Sequence, residues 1–312
     1  MIKASGLTKQ FGKSGVLDQL DFSIRRGERV AILGLNGAGK TTLIRCLLGL
    51  TGFEGKLEIA GYDVCDEGRD VRACTGYVPQ RAPHFDGSLA EVVEFFSQLR
   101  DIDTVLARQR LEEFGLPLEV HGEKAIRELS GGMLQKALLA LALGAQVPLL
   151  LLDEPTANLD ARTRSEFVRS LRGVEDDVTI LLATHRLADV EAVAERLLVL
   201  HGGHFVFDGR MADLWDRVDA EVTLWIKVSP KLRDTAGQLL KQRWSAPAVR
   251  ANGAALGIQV DRGIRAAVLV ELQNSGIPVD DFWTESPSLS ELMERLLSRP
   301  VKSGVARSQA DV

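Results

Sequence analysis

Short, wholly apolar runs alternate with amphipathic segments along the first two thirds of the chain. The runs at residues 149–152 and 179–183 are typical of central strands in a parallel sheet covered on both faces. Apolar residues recur at helical spacing over residues 91–114 and again over 130–143, which predicts a helical insertion between about residues 83 and 144. Further strands are predicted at residues 2–7, 20–24 and 29–33, with a helix at 41–48. Strands that alternate with helices predict an α/β core.

The pattern changes after about residue 214. The next elements are predicted in this order: a strand at residues 221–228, a helix at 232–244, a strand pair within 249–260, a helix at 262–275, a strand at 279–284 and a last helix at 288–297. The order β-α-β-β-α-β predicts a small ferredoxin-like α+β domain over residues 220–298. We interpret it as an accessory or dimerisation domain, with a packing role without ligand as the alternative. The polar segment 299–312 is predicted to be a disordered tail.

Composition describes an ordinary globular protein. The chain has 312 residues, 45% of them hydrophobic and 26% charged, and its length suggests about two domains. A net charge of −5 does not favour a nucleic-acid partner. Cys46, Cys65 and Cys74 have neither CxxC spacing nor histidine neighbours, so we expect reduced thiols and no metal site there.

No segment is predicted to enter a membrane. The first residues lack the apolar stretch of a secretory signal. The most apolar region, residues 138–152, is shorter than the roughly 20 residues needed to cross a bilayer, and Pro148 interrupts it. We interpret it as a buried helix end followed by a buried strand, so any role at a membrane requires a partner.

Residues 34–41 read GLNGAGKT and match the phosphate-binding pattern G-x-x-x-x-G-K-[ST] between a predicted strand and a predicted helix. Glycines let successive backbone N–H groups turn towards phosphate oxygens at the helix N-terminus. Lys40 can reach the β- and γ-phosphates, and the Thr41 hydroxyl can ligate Mg²⁺. A glycine-rich turn that binds nothing would leave these two residues unexplained. The predicted ATP-binding residues of this phosphate cradle are Gly34, Asn36, Gly37, Ala38, Gly39, Lys40, Thr41 and Thr42.

Asp153 and Glu154 follow the buried strand at 149–152. The carboxyl ends of parallel strands are where such sheets bind ligands. Asp153 is therefore predicted to hold Mg²⁺ and Glu154 to polarise the water that attacks ATP. A solvated Asp-Glu turn is the alternative for the pair taken alone.

A phosphate cradle with an acidic strand end also occurs in kinases, GTPases and helicases. The signature segment, residues 129–132 (LSGG), decides among them together with Gln80, the turn at 158–160 and His185. In this order the motifs resemble the ATP-binding cassette (ABC) family over about residues 1–215. With methionine at position 133, the signature is similar to that of the type-2 exporter group. This group includes the ATPase subunit of the nitrous-oxide-reductase maturation transporter.

The resemblance assigns roles to further residues. Phe11 lies where an aromatic ring stacks on adenine. Gln80 resembles the glutamine that touches Mg²⁺ and links the core to the helical insertion. The signature segment binds the γ-phosphate of ATP held by the opposite cassette, through Ser130, Gly131 and Gly132; a serine there is otherwise read as a simple helix N-cap.

Asp160 resembles the aspartate that crosses the interface between two cassettes, and His185 resembles the switch histidine that contacts the γ-phosphate. Lys136 replaces the usual arginine and Phe11 the commoner tyrosine, but neither change removes a catalytic group. The resemblance thus implies catalysis by Lys40, Gln80, Glu154 and His185, and Mg²⁺ binding by Thr41, Gln80 and Asp153.

The resemblance implies the ATP-hydrolysing subunit of an ABC transporter. Two copies would close on two Mg-ATP at the cytoplasmic face of the inner membrane, beneath separate polytopic permease subunits. The methionine in the signature favours export, and import remains open. The alternatives are a soluble ABC ATPase of DNA repair or translation, and a small-molecule kinase.

Overall fold

The computed structural model describes residues 1–100, 102–157, 159–218, 221–244, 250–252, 255–285 and 287–298. Asn158 of the predicted turn at 158–160 and the predicted disordered tail at 299–312 lie outside these ranges. The chain divides after Met211 into two compact units, which are described separately.

The first unit contains both helices and strands. The apolar stretch at 138–152 forms the predicted helix end and buried strand. In chain order the elements are β1 (Ile2–Phe11), β2 (Ser14–Ile24), β3 (Arg29–Leu33), α1 (Lys40–Leu47), β4 (Glu54–Ile59), β5 (Tyr62–Asp63), α2 (Gly68–Ala73), β6 (Thr75–Val78), α3 (Leu89–Arg100), α4 (Thr104–Glu113), α5 (Leu118–His121), α6 (Gly131–Gly144), β7 (Leu149–Asp153), α7 (Ala161–Arg172), β8 (Thr179–Thr184), α8 (Leu187–Val193), β9 (Arg196–His201) and β10 (His204–Gly209).

A six-stranded sheet in the order β10-β9-β3-β8-β7-β6 forms the centre of this unit. Strands β9, β3, β8, β7 and β6 are parallel, and β10 pairs antiparallel at one edge. Leu150 and Leu152 pack into one hydrophobic core, whereas Leu149 and Leu151 pack into another. Because successive side chains of a strand point to opposite faces, these two cores cover both faces of the sheet. The predicted α/β core is confirmed.

The second core joins the parallel sheet to a four-stranded antiparallel sheet in the order β2-β1-β4-β5. The first core joins it to the region between residues 83 and 144, where the described residues form α3 to α6. The predicted helical stretch 91–114 is divided into α3 and α4. Asp103 causes this division as the N-cap of α4, since its carboxylate accepts from the Val105 N–H at 2.8 Å.

The second unit contains a four-stranded antiparallel sheet in the order β12-β13-β11-β14. With one helix between the first two strands and another before the last, this is the predicted ferredoxin-like topology. Helix α9 spans the division at Met211. The elements are α9 (Met211–Val218), β11 (Glu221–Val228), α10 (Arg233–Trp244), β12 (Arg250–Asn252), β13 (Ala255–Asp261), α11 (Arg265–Asn274), β14 (Val279–Glu285) and α12 (Leu289–Ser298).

The two faces of this small sheet differ. Alternate residues of β11, among them Leu224 and Ile226, pack against α10 and α11 in a core of their own. On the other face Trp225 stacks on Trp283, with ring centroids 6.0 Å apart, and donates from its indole N–H to Glu285 at 2.8 Å. In the described part of the chain, no helix combines the length and hydrophobicity needed to cross a bilayer.

Candidate functional site

Adjacent parallel strands bring the predicted catalytic residues to one edge of the central sheet. The register places Leu33 beside Thr184, Asp153 beside Ala183, and Val78 beside Leu152. The phosphate cradle follows β3 in the chain, and His185 follows β8. Glu154 follows β7, and Gln80 comes shortly after β6. The tertiary structure therefore gathers at one edge four motifs that are far apart in the sequence.

The phosphate cradle turns sharply into α1. Gly39 precedes the helix with φ +103°, a left-handed conformation that glycine adopts without strain. A Cβ atom at Gly39 would also lie 3.0 Å from the Val16 carbonyl oxygen. Backbone conformation and the close approach of β2 both require glycine here. Thus α1 begins at Lys40 with its N-terminal N–H groups available to an anion.

Lys40, Glu154 and His185 form a continuous chain of charged and polar contacts. The Lys40 ammonium is 6% exposed, donates to the Gly34 carbonyl oxygen at 2.8 Å and lies 3.0 Å from Glu154 Oε1. Glu154 Oε2 accepts from His185 Nδ1 at 2.6 Å. A carboxylate only accepts hydrogen bonds, so the His185 ring carries a proton on Nδ1, and in the neutral form of the ring Nε2 is an acceptor.

The Glu154 backbone is strained. Its φ is +48°, which is uncommon for a residue with a side chain and costs on the order of 1–3 kcal/mol. The Glu154 N–H donates to the Ala183 carbonyl oxygen at 2.8 Å, so β8 holds the residue in this conformation. The contact of Oε1 with Lys40 lacks hydrogen-bond alignment, and this buried oxygen accepts no hydrogen bond among the described residues. Such strain, with a buried acceptor left open, is typical of functional sites.

Oxygen-donor side chains meet beside the cradle. The Thr41 hydroxyl donates to Asp153 Oδ1 at 3.1 Å. Asp153 is 1% exposed, and burial raises the pKa of its carboxyl, while the Thr41 bond acts in the opposite direction. In the described part of the chain no group of three or more His, Cys, Asp or Glu is arranged to hold a metal. The set suits Mg²⁺, which needs one or two carboxylates and takes its other ligands from phosphate and water.

A cavity of about 520 Å³ opens above these residues. Phe11 lies at its rim, 52% exposed, with the Lys9 ammonium 4.6 Å from the ring centroid. A Cβ at Gly37 would meet nothing within 4 Å, so the cradle backbone is open to a ligand. The aromatic ring at the rim, the open backbone amides, the buried lysine and the oxygen ligands beside the cradle together fit Mg-ATP. The lining residues are Phe11, Val16, Asn36, Gly37, Gly39, Lys40, Thr41, Thr42, Gln80 and Glu154.

The signature segment and Asp160 do not line this cavity. Ser130 is exposed and is the N-cap of α6, accepting from the Met133 N–H at 3.2 Å. Asp160 caps α7, and the Thr163 N–H that donates to it lowers the pKa of its carboxyl. Each side chain thus caps a helix within one chain, as the alternative for Ser130 states. The contact of Ser130 with ATP and the position of Asp160 at an interface stay predictions that involve a second copy.

Three interactions near the site were not predicted. The Thr156 hydroxyl donates to the buried Asp189 on α8, which ties the turn after Glu154 to the helix after His185. Lys136 on α6 forms a 2.6 Å ion pair with Glu166 on α7.

The third unpredicted interaction comes from Gln135 of α6, which donates to the carbonyl oxygens of Pro79 and Gln80. Polar residues that interrupt apolar helical patterns, such as Gln135 within α6 and Asp189 beside Val190, were the available sequence signal.

Comparison with known proteins agrees with this geometry. Residues 17–157 match the family described as "ABC transporter". The chain is 33% identical to "Daunorubicin resistance ATP-binding protein DrrA3" of Streptomyces coeruleorubidus, covering 95% of each chain. It is 36% identical to "Nod factor export ATP-binding protein I" of Rhizobium etli, covering 70% of each. The solved "Structure of ATP binding subunit of ABC transporter" is similar with a TM-score of 0.63 and 27% identity, over 70% of this chain and 93% of that one.

Proposed function

Since the chain belongs to the family of ABC transporter ATP-binding subunits, we propose that two copies close on two Mg-ATP and drive export through separate permease subunits at the cytoplasmic face of a membrane. The observation that supports hydrolysis best is the Lys40–Glu154–His185 chain beneath the cavity. The direction follows from the type-2 exporter resemblance and from relatives named for resistance and export.

The described residues indicate how the site would act. Lys40 and the cradle amides would bind the β- and γ-phosphates, and Thr41, Asp153 and Gln80 would hold Mg²⁺, which neutralises charge on the phosphates. When Lys40 turns its charge to phosphate, Glu154 loses its ion partner and becomes free to accept a proton from water. His185 Nε2 would orient that water in line with the γ-phosphate. Catalysis then rests on positioning and electrostatics.

The surface position of the signature segment supports a second copy as partner. A Cβ at Gly131 would meet nothing within 4 Å, whereas a Cβ at Gly132 would lie 2.2 Å from Thr163 Cγ2. Packing of α6 against α7 therefore explains glycine at position 132. No contact with the described residues explains it at position 131, where the phosphate of an opposing ATP would need close access to the backbone.

These neighbouring glycines make a matched pair of variants. Gly131→Ala is expected to keep the wild-type melting temperature but to lower ATP turnover by about 10²-fold, because a displacement of about 1 Å at a reacting group costs that much. Gly132→Ala is expected to lose stability as well. Thermal unfolding and steady-state ATPase assays measure both. Wild-type turnover by Gly131→Ala would show that no opposing ATP approaches this backbone.

An apolar groove of about 450 Å³ supports a permease docking site. It lies between the core and the helical insertion, and its lining includes Arg81, Pro83 and Phe85, which follow Gln80 closely in the chain. Leu99 on α3 also lines it and is 63% exposed. Exposed apolar side chains around a groove are typical of a protein interface, here for a helix from a cytoplasmic loop of the permease.

Isolation from native membranes in mild detergent tests this assignment. We expect a polytopic protein in fixed ratio with two copies of the wild-type chain. Leu99→Glu is expected to abolish this recovery because it introduces a charge into an apolar interface. Val105→Glu is the matched control, since Val105 is 69% exposed on α4 and does not line the groove. Recovery with ribosomes or nucleic acid, and with no membrane partner, would favour a soluble ABC ATPase.

A further inference from the structure

Gln135 is the one residue of α6 whose side chain donates to the segment that carries Gln80, among the hydrogen bonds of the described residues. The donor distances are 3.1 Å to the Pro79 carbonyl oxygen and 3.3 Å to that of Gln80. Carbonyl oxygens only accept, so the amide nitrogen faces them. Gln135 is 7% exposed, and its own Oε1 has no partner among the described residues.

Burial of an unsatisfied acceptor is unfavourable, and an apolar residue of the same shape would avoid it. The contacts with Pro79 and Gln80 are therefore what the carboxamide contributes at this position. Those two residues belong to two different sites of the proposed function, since Pro79 lines the apolar groove and Gln80 lines the cavity. Gln135 also lies on the helix that Ser130 caps.

We propose that Gln135 is a positioning residue that fixes the signature segment relative to Gln80, so that both halves of a two-copy ATP site have the required spacing. This inference rests on the proposed function. One half is the cradle with Gln80 on the core, and the other half is the N-terminus of α6 on the helical insertion. The carboxamide sets their distance within each copy. Gln135 is not among the residues that line the cavity.

The test uses the full chain carrying Glu154→Gln, which is expected to bind Mg-ATP without rapid turnover. Gln135→Met removes the donors and keeps length and apolar packing. Its Mg-ATP dissociation constant in dilute monomer is expected to stay within about twofold, because the cradle is unchanged, whereas the ATP-dependent dimer weakens about tenfold, as for one or two neutral hydrogen bonds. Equilibrium dialysis and sedimentation equilibrium measure the two constants.

Gln135→Glu adds a signature that a merely structural role would not give. Its carboxylate only accepts hydrogen bonds and would face two carbonyl oxygens that also only accept. The dimer of Gln135→Glu should therefore be weaker than that of Gln135→Met, while Mg-ATP binding by the dilute monomer is unchanged. Ser97→Ala is the matched control, since Ser97 is 2% exposed in the same insertion and its hydroxyl has no partner among the described residues.

Dimerisation of Gln135→Met at the strength of the parent would overturn this inference, as would equal weakening of ATP binding and dimerisation. If the parent chain with Glu154→Gln alone binds Mg-ATP and dimerises, and adding Gln135→Met changes neither constant, the proposed function still stands. A parent that fails to bind Mg-ATP or to dimerise would overturn both proposals.

Discussion

Replacing Glu154 by glutamine is expected to lower ATP turnover by about 10²–10⁴-fold, the usual cost of removing a positioned general base. The same change replaces the carboxylate beside Lys40, at 3.0 Å, by a neutral amide. In this variant Lys40 gives up no ion pair with residue 154 when its ammonium group binds phosphate. Mg-ATP should therefore bind more tightly to Glu154→Gln than a non-hydrolysable analogue binds to the wild-type chain, and an ATP-bound dimer should accumulate.

Single-turnover hydrolysis, equilibrium binding and sedimentation separate these effects. Glu195→Gln is a suitable control because Glu195 is exposed and lies outside the cavity lining. If Glu154→Gln hydrolysed ATP at the wild-type rate, the base would have to be another group. If it bound Mg-ATP tightly but stayed monomeric, the two-copy arrangement would be wrong, but the assignment of the nucleotide-binding site would still hold.

Replacing Lys40 by methionine is expected to impair both ATP binding and folding. A hydrogen bond to a charged group contributes about 1.5–3 kcal/mol, so affinity for Mg-ATP should fall by about 10–100-fold. The change also leaves Glu154, 5% exposed, without its cation. Breaking a buried ion pair from one side typically costs about 3–5 kcal/mol, and the bond from His185 places the expected loss at the lower end. Equilibrium binding and urea unfolding measure the two losses.

The double variant Lys40→Met/Glu154→Gln distinguishes charge from packing. A neutral carboxamide at position 154 removes the unpaired buried charge, so most of the lost stability should return. Affinity for Mg-ATP should not return, since the cationic contact with phosphate is still missing. A double variant as unstable as Lys40→Met would assign the loss to the Lys40 bonds with the Gly34 and Leu35 carbonyl oxygens instead.

Much of the fold could be read from local pattern. The apolar strands at 149–152 and 179–183, the helix after the cradle and the β-α-β-β-α-β order of the second unit all followed from periodicity, because the burial of each face repeats along the segment. The helical spacing over residues 91–114 did not indicate where one helix ends and the next begins, because apolar residues recur on both sides of Asp103, which starts α4. Strands β4 and β10 were not predicted, since few of their residues are buried.

The candidate site divides in the same way. The sequence by itself determined the cradle, because its glycines, lysine and threonine all lie within residues 34–41 and their conformations are local. The position after a buried strand also marked Glu154 as a functional candidate, and the family resemblance marked His185. Only the tertiary structure decided that Lys40, Glu154 and His185 form one chain, that Gln135 holds the Gln80 segment, and that Thr163 packs against Gly132. Those contacts depend on the order of strands in the central sheet and on helix packing, which join residues far apart in the chain and which no local periodicity encodes.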